Sequence, residues 1–154
     1  MAPLGGDVLA ELPRFAGSEH HALDDKSRLI VPARFRERLG SPFILTVVHP
    51  EGCLALYPTV TWAQFSERLE AVPVKDERFR SFVRFLFANT EEVSCDNQGR
   101  VVVPQRLRTY ADIKREIVSV GIFTRIEIWA KERYAVQTPA ADELGSFMAE
   151  LGLY

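Results

Sequence analysis

The chain has 154 residues, of which 47% are hydrophobic and 26% charged, enough to bury a core in one compact domain or in two small units sharing one, so a disordered tail or linker protein is excluded. No apolar run approaches the roughly 18 residues needed to span a bilayer, and the start has neither the basic nor the apolar region of an export signal, so a soluble cytoplasmic protein is expected. The balance of 19 basic against 21 acidic side chains, net −2, gives no support to indiscriminate binding of nucleic acid through overall charge.

Residues 1–14 read as an N-terminal extension. The first tight turn is expected at Asp24–Arg28, followed by the apolar run Leu29-Ile30-Val31. Pro32 suits a first helical residue that needs no N–H, and it opens a short helix over Ala33–Leu39 that Gly40 stops. Phe43–Val48 and Cys53–Tyr57 are predicted strands joined by a turn at His49-Pro50-Glu51-Gly52, and a helix begins near Thr61. In the connector Arg78–Phe87, Phe79, Phe82, Val83 and Leu86 fall on one helical stripe with arginines opposite, the pattern of a packing helix rather than of a stacking platform for single strands.

The second half repeats the first. Residues 24–36 align without a gap on 96–108, at an offset of 72 that persists where Leu56-Tyr57 falls on Ile128-Trp129 and Trp62 on Tyr134. Asp96-Asn97-Gln98-Gly99 is expected to form a tight turn with Gly99 in the left-handed region, making a hairpin of the stretches on either side. Then come a helix over Gln105–Ala111, strands at Ile117–Val120 and Arg125–Trp129 with a turn at Gly121–Thr124, and a helix from near Ala130. A short helix is expected within Asp142–Tyr154. The divisions are 18–62 for the first module, 63–89 for connecting helices, 90–134 for the second module and 135–154 for a C-terminal helix and tail. One module is too small for a good core, so the two are expected to pack as a pseudo-symmetric unit.

Charge is sorted by region. Lys26 to Arg38 holds five basic residues and one acid, Arg100 to Arg108 three basic residues and no acid, and Asp142 onward three acids and no base. Each Asp-x-x-x-Arg stretch brackets a turn. Asp24 and Asp96 can accept turn N–H bonds and steady Arg28 and Arg100, whose planar guanidinium suits phosphate or guanine. Lys26 is a candidate phosphate contact, although its counterpart Gln98 is uncharged. Arg34 and Arg106 lie near helix starts, where backbone N–H groups also favour phosphate, and Arg34 and Arg36 cannot both face one groove. The DNA-binding candidates are therefore Lys26, Arg28, Arg34, Arg100 and Arg106, with Asp24, Asp96 and Gly99 supporting the turns.

No enzyme is expected. Adjacent His20 and His21 on a strand point to opposite faces, His49 has no ligand spacing with them, and the phosphate-cradling and nucleophile-elbow motifs are missing from the sequence. No metal or cofactor is expected. Cys53 and Cys95 lack ligand spacing and read as small core hydrophobes.

Phe15 through Pro32, with Asp96–Pro104 and Arg125–Trp129, resemble the MraZ family over about residues 15–140. The resemblance implies an α+β fold of two tandem AbrB-like (SpoVT-AbrB) swapped-hairpin modules in a double-split barrel. It also implies a nucleoid-associated transcriptional regulator, a repressor of the division and cell wall gene cluster, that binds double-stranded promoter repeats as a homo-oligomeric ring. No membrane or small-molecule substrate enters this reading; its rival is an antidote-type module that binds a protein partner. Against the family pattern, Ser27 stands where glycine is usual, so a first turn shaped differently from the second is expected.

Overall fold

A computed structural model describes residues 12–153. The expected extension falls mostly on residues 1–11, outside the described residues; of the rest, Leu12 is buried and the Arg14 carbonyl accepts a hydrogen bond from Arg38 Nη1 at 3.0 Å.

The first module contributes strands β1 (Phe15–Ala22) and β2 (Arg28–Ile30), helix α1 (Ala33–Leu39), strands β3 (Phe43–Val48) and β4 (Cys53–Pro58), and helix α2 (Thr59–Glu70). Helix α3 (Glu77–Ala88) leads to β5 (Glu91–Val93), β6 (Arg100–Val102), α4 (Gln105–Ala111), β7 (Glu116–Phe123), β8 (Arg125–Ala130) and α5 (Lys131–Gln137). Helix α6 (Ala141–Glu150) follows. This is a mixed α+β architecture of two tandem modules. The strands form an open antiparallel six-stranded sheet, ordered β1-β7-β8-β4-β3-β5, and a separate ribbon of β2 and β6, not one closed ladder.

The order shows what the modules exchange. β1 pairs with β7 and β5 with β3, so each module's first strand completes the other module's half of the sheet. In the ribbon Leu29 faces Val101, and at the sheet centre Ala55 faces Glu127; both pairs are 72 residues apart, which places them on the pseudo-twofold axis. The expected hairpins are therefore corrected. Each turn closes with its own bonds, Ser27 N–H to Asp24 O at 2.9 Å and Asp24 N–H to Arg28 O at 3.0 Å in the first, but the flanking strands part there and pair across the modules. Three-residue strands gain little from pairing locally, whereas crossing over buries Leu29 and Val101 between the halves.

The gapless repeat is also corrected. Registers in β3/β4 and β7/β8 match only if β7 is displaced by 74 residues from β3, while β8 keeps 72 from β4. Counted to the register-equivalent residues Phe43 and Ile117, the link into the second strand, residues 112–116, is two residues longer than the link into the first, residues 40–42. The next connection is two shorter, since Ile122 pairs directly with Arg125. The turn read at Gly121–Thr124 thus shrinks to Phe123-Thr124, with Phe123 left-handed at φ 49° and exposed. Shifting by two rather than one keeps every side chain on its own face of the sheet.

Pro32 and Pro104 cap their helices from one position earlier than expected, in extended conformation, and each carbonyl accepts the first helical N–H bonds. Helices α2 and α5 start at Thr59 and Lys131, within two residues of expectation. The core joins both modules through Leu29, Phe35, Leu45, Leu54, Leu56, Leu107, Ile117, Ile126 and Ile128. Helix α3 departs from the packing stripe. Only Leu86 of the four is buried, Phe79 and Val83 are half-buried, and Phe82 is exposed, because α3 lies across the margin of the fold where Trp62 meets Phe87 with ring centroids 5.8 Å apart. Cys53 is buried, whereas Cys95 is only half-buried at the core's margin, so the core reading holds in full for the first cysteine alone.

Candidate nucleic-acid interface

The two Asp-x-x-x-Arg turns are built alike, atom by atom. Asp24 Oδ1 accepts the N–H groups of Lys26 and Arg28, both at 2.9 Å, and Oδ2 accepts Arg28 Nε at 2.7 Å. Asp96 does the same with Gln98 and Arg100, both at 2.9 Å, and with Arg100 Nε at 2.8 Å. These bonds, the Arg N–H first, hold both carboxyls below the usual aspartate range. Ser27 and Gly99 take the same left-handed position, φ 58° and 77°. The differently shaped first turn is thus corrected: a three-bond aspartate and a closing backbone pair impose the conformation even on serine.

Arginine fixed through Nε keeps its two terminal amino groups for other partners. Neither Arg28 nor Arg100 donates them to another group among the described residues, and the side chains are 25% and 23% exposed. The ribbon joins the turns, since Val31 N–H bonds Gly99 O and Val103 N–H bonds Ser27 O, both at 2.9 Å. Strand alternation sends Leu29 and Val101 inward and Arg28, Ile30, Arg100 and Val102 outward. Arg28 lies opposite Val102 and Ile30 opposite Arg100, so the outer face carries two arginines and two apolar residues in twofold arrangement. Ile30 and Val102, 48% and 55% exposed, were missed from sequence. Their signal was the equivalence across the offset of 72, hidden because an apolar run of three residues does not show which of its side chains faces outward.

The remaining candidates sit at the ribbon's margins. Lys26 is exposed on the first turn. Arg34 Nη2 donates to Ser18 O at 2.6 Å and its guanidinium lies 5.0 Å from the Phe35 ring centroid, while Arg106 pairs with Glu91 at 2.9 Å. Both exposed arginines thus tie α1 and α4 to the exchanged edge strands, by contacts of the kind contributing about 1 kcal/mol or less. Arg36 is turned inward. Its Nη2 donates to Val31 O at 2.8 Å and its guanidinium fills the space a side chain at Gly99 would need. One arginine of the Arg34 and Arg36 pair therefore faces out and the other supports the opposite module's turn.

His20 and His21 do point to opposite sides. His21 Nε2 lies 2.7 Å from Ser119 Oγ, and His20 meets Tyr134 edge-on. No group of three or more His, Cys, Asp or Glu side chains able to hold a metal ion occurs among the described residues, and no described helix is long and apolar enough to cross a membrane.

The profile of a family described as "MraZ protein, putative antitoxin-like" matches residues 14–85 and again 86–150. Among curated proteins, the chain is 46% identical to the transcriptional regulator MraZ of Clostridium acetobutylicum over 142 residues, 90% of this chain and 99% of that protein. It is 42% identical to that of Clostridium tetani over the same shares, and 45% identical to that of Moorella thermoacetica over 78% of this chain and 83% of the relative. With two profile matches in tandem and these relatives aligned nearly end to end, the chain belongs to the MraZ family.

Proposed function

We propose that this protein is a sequence-specific DNA-binding transcriptional regulator, without enzymatic activity, that acts at the nucleoid in the cytoplasm. The observation that carries the reading is the ribbon: the pseudo-twofold brings two aspartate-held arginines onto one outward two-stranded face. An antiparallel ribbon fits the major groove, where arginine pairs with guanine and an apolar side chain can meet a thymine methyl. Arg28 and Arg100 read bases, Ile30 and Val102 pack beside them, and Lys26, Arg34 and Arg106 meet phosphates. The names of the relatives as transcriptional regulators support the same class. We read the strand exchange as the swapped-hairpin topology that the family resemblance implies.

One ribbon with so few cations binds weakly, so linked copies on repeated sites supply the affinity, gaining roughly 10²–10⁴ when all engage together. The target is a set of promoter repeats about 10 bp apart, read by a homo-oligomeric ring whose subunits meet through apolar surface on α2 and α3. Following the resemblance, the protein represses the division and cell wall gene cluster.

The test is the salt dependence of binding to the duplex upstream of the protein's own operon. Arg28→Ala with Arg100→Ala should retain fold and oligomeric state and lose preference over random duplex, each arginine accounting for about 1–3 kcal/mol of discrimination. Binding unchanged from wild type, or a wild type without preference, overturns the reading and leaves the protein-partner alternative.

A further inference from the structure

Helix α6 has an apolar side that nothing among the described residues covers. Leu144, Phe147, Met148 and Leu151 recur at helical spacing, each 37–55% exposed, and Leu153 beyond them is 68% exposed. Every residue of α6 except Gly145 is exposed. A helix of ten residues is marginal in water by itself, and its stability comes from packing such a stripe against something.

A second apolar surface stands open on the same chain. Between α2 and α3 runs a groove walled by Leu69, Phe79, Val83 and Phe87, with Ser66, Glu70 and Lys75 also on its lining. Along α3 the exposed cations Arg78, Arg80 and Arg84 follow, and Arg84 has no charged or hydrogen-bonded partner among the described residues. Residues 142–153 carry Asp142, Glu143 and Glu150 and no base. Asp142 and Glu143 also complement the dipole of α6, but Glu150 stands at the end where a dipole favours cations, so dipole compensation does not explain it.

From this match of apolar stripe to apolar groove, and of the acids in residues 142–153 to Arg80 and Arg84 beside a groove whose own Glu70 and Lys75 balance, we propose that α6 of one copy docks in the α2–α3 groove of a second copy. The proposal deepens the self-assembly part of the function proposed above and rests on it. Because helix and groove are different patches, the contact is head to tail: each copy offers one helix and one groove, and successive copies close into a ring or continue as a chain. An isologous contact, by contrast, would place the same patch on both sides.

Complementation between two defective full-length chains decides the matter. Phe147→Asp spoils the helix and leaves the groove; Val83→Asp spoils the groove and leaves the helix. By light scattering on a sizing column at micromolar concentration, wild type should assemble, and each variant alone should run as a monomer, with association weakened at least tenfold. An equimolar mixture should give a species of twice the monomer mass and nothing larger, since one good helix and one good groove remain per pair. If Val83→Asp does not fold by circular dichroism, Arg80→Glu with Arg84→Glu, both on the exposed rim, takes its place. A monomeric mixture, a Phe147→Asp chain that assembles as wild type does, or a groove variant that still self-associates overturns the α6 contact. Wild type found as a monomer overturns the self-assembly reading itself.

Discussion

Asp24 and Asp96 each spend three acceptor bonds on five residues of chain, and the arginine each holds is the residue with atoms left over. This division of labour was legible from spacing alone, because a four-residue separation across a turn puts the carboxylate beside the guanidinium. The supporting role of Arg36 was not legible, since its partner turn belongs to the other module. Gly99 tests that support. Its φ of 77° disfavours any side chain, and an added Cβ would overlap the Arg36 guanidinium. Gly99→Ala should lower stability by about 1–2 kcal/mol from the left-handed conformation, with a further loss from displacing Arg36, as measured by urea denaturation. Ser27 shows that this position admits a side chain where the turn bonds dominate.

Strand β1 shows how far a single element can be read. The sequence put His20 and His21 on a strand, but that strand's partner, β7, lies about 100 residues away and is chosen by the exchange of strands between modules. The pairing puts His21 against Ser119, and burial holds the imidazole below its ordinary value of 6.5, with neighbouring His20 adding to the lowering and Glu19 opposing it. In that state the unfolded chain binds the proton more readily than the folded one, so stability should fall as pH drops below 6.5 toward the lower folded value. His21→Gln should flatten this slope in thermal melts between pH 7.5 and 5, and an unchanged slope would assign the effect to other groups. Helix α3 marks the other limit. Its aromatic spacing described a stripe correctly, yet spacing carries no information about what lies opposite, and of that stripe only Leu86 is buried.

For the whole molecule, strand exchange makes the modules one cooperative unit. β1 and β5 each complete the sheet beside the other module's strands, and Leu29 and Val101 meet on the axis between them. Leu56→Ala, at a fully buried position next to that axis, should cost about 2–5 kcal/mol and lower a single calorimetric transition without splitting it. Two resolved transitions would show that the modules fold independently. Glu127 belongs to this scale too: it is buried on the axis opposite Ala55, and Arg125 and Trp129 Nε1 donate to its carboxylate. Sequence identified the strand around it but not that Arg125 compensates its charge and Trp129 satisfies its other oxygen from the same strand.

By itself the sequence determined the existence of two copies, their turns, the short proline-capped helices and the arginines that the turns present. These depend on contacts within a few residues, where backbone geometry and hydrogen-bonding reach leave few choices. Only the tertiary structure decided which strands pair, that β7 is displaced by two residues, that Ile30 and Val102 face outward, and which apolar stripes remain uncovered. Each of those is settled by competition between distant segments for the same buried surface, which a local pattern records as apolar without recording its partner.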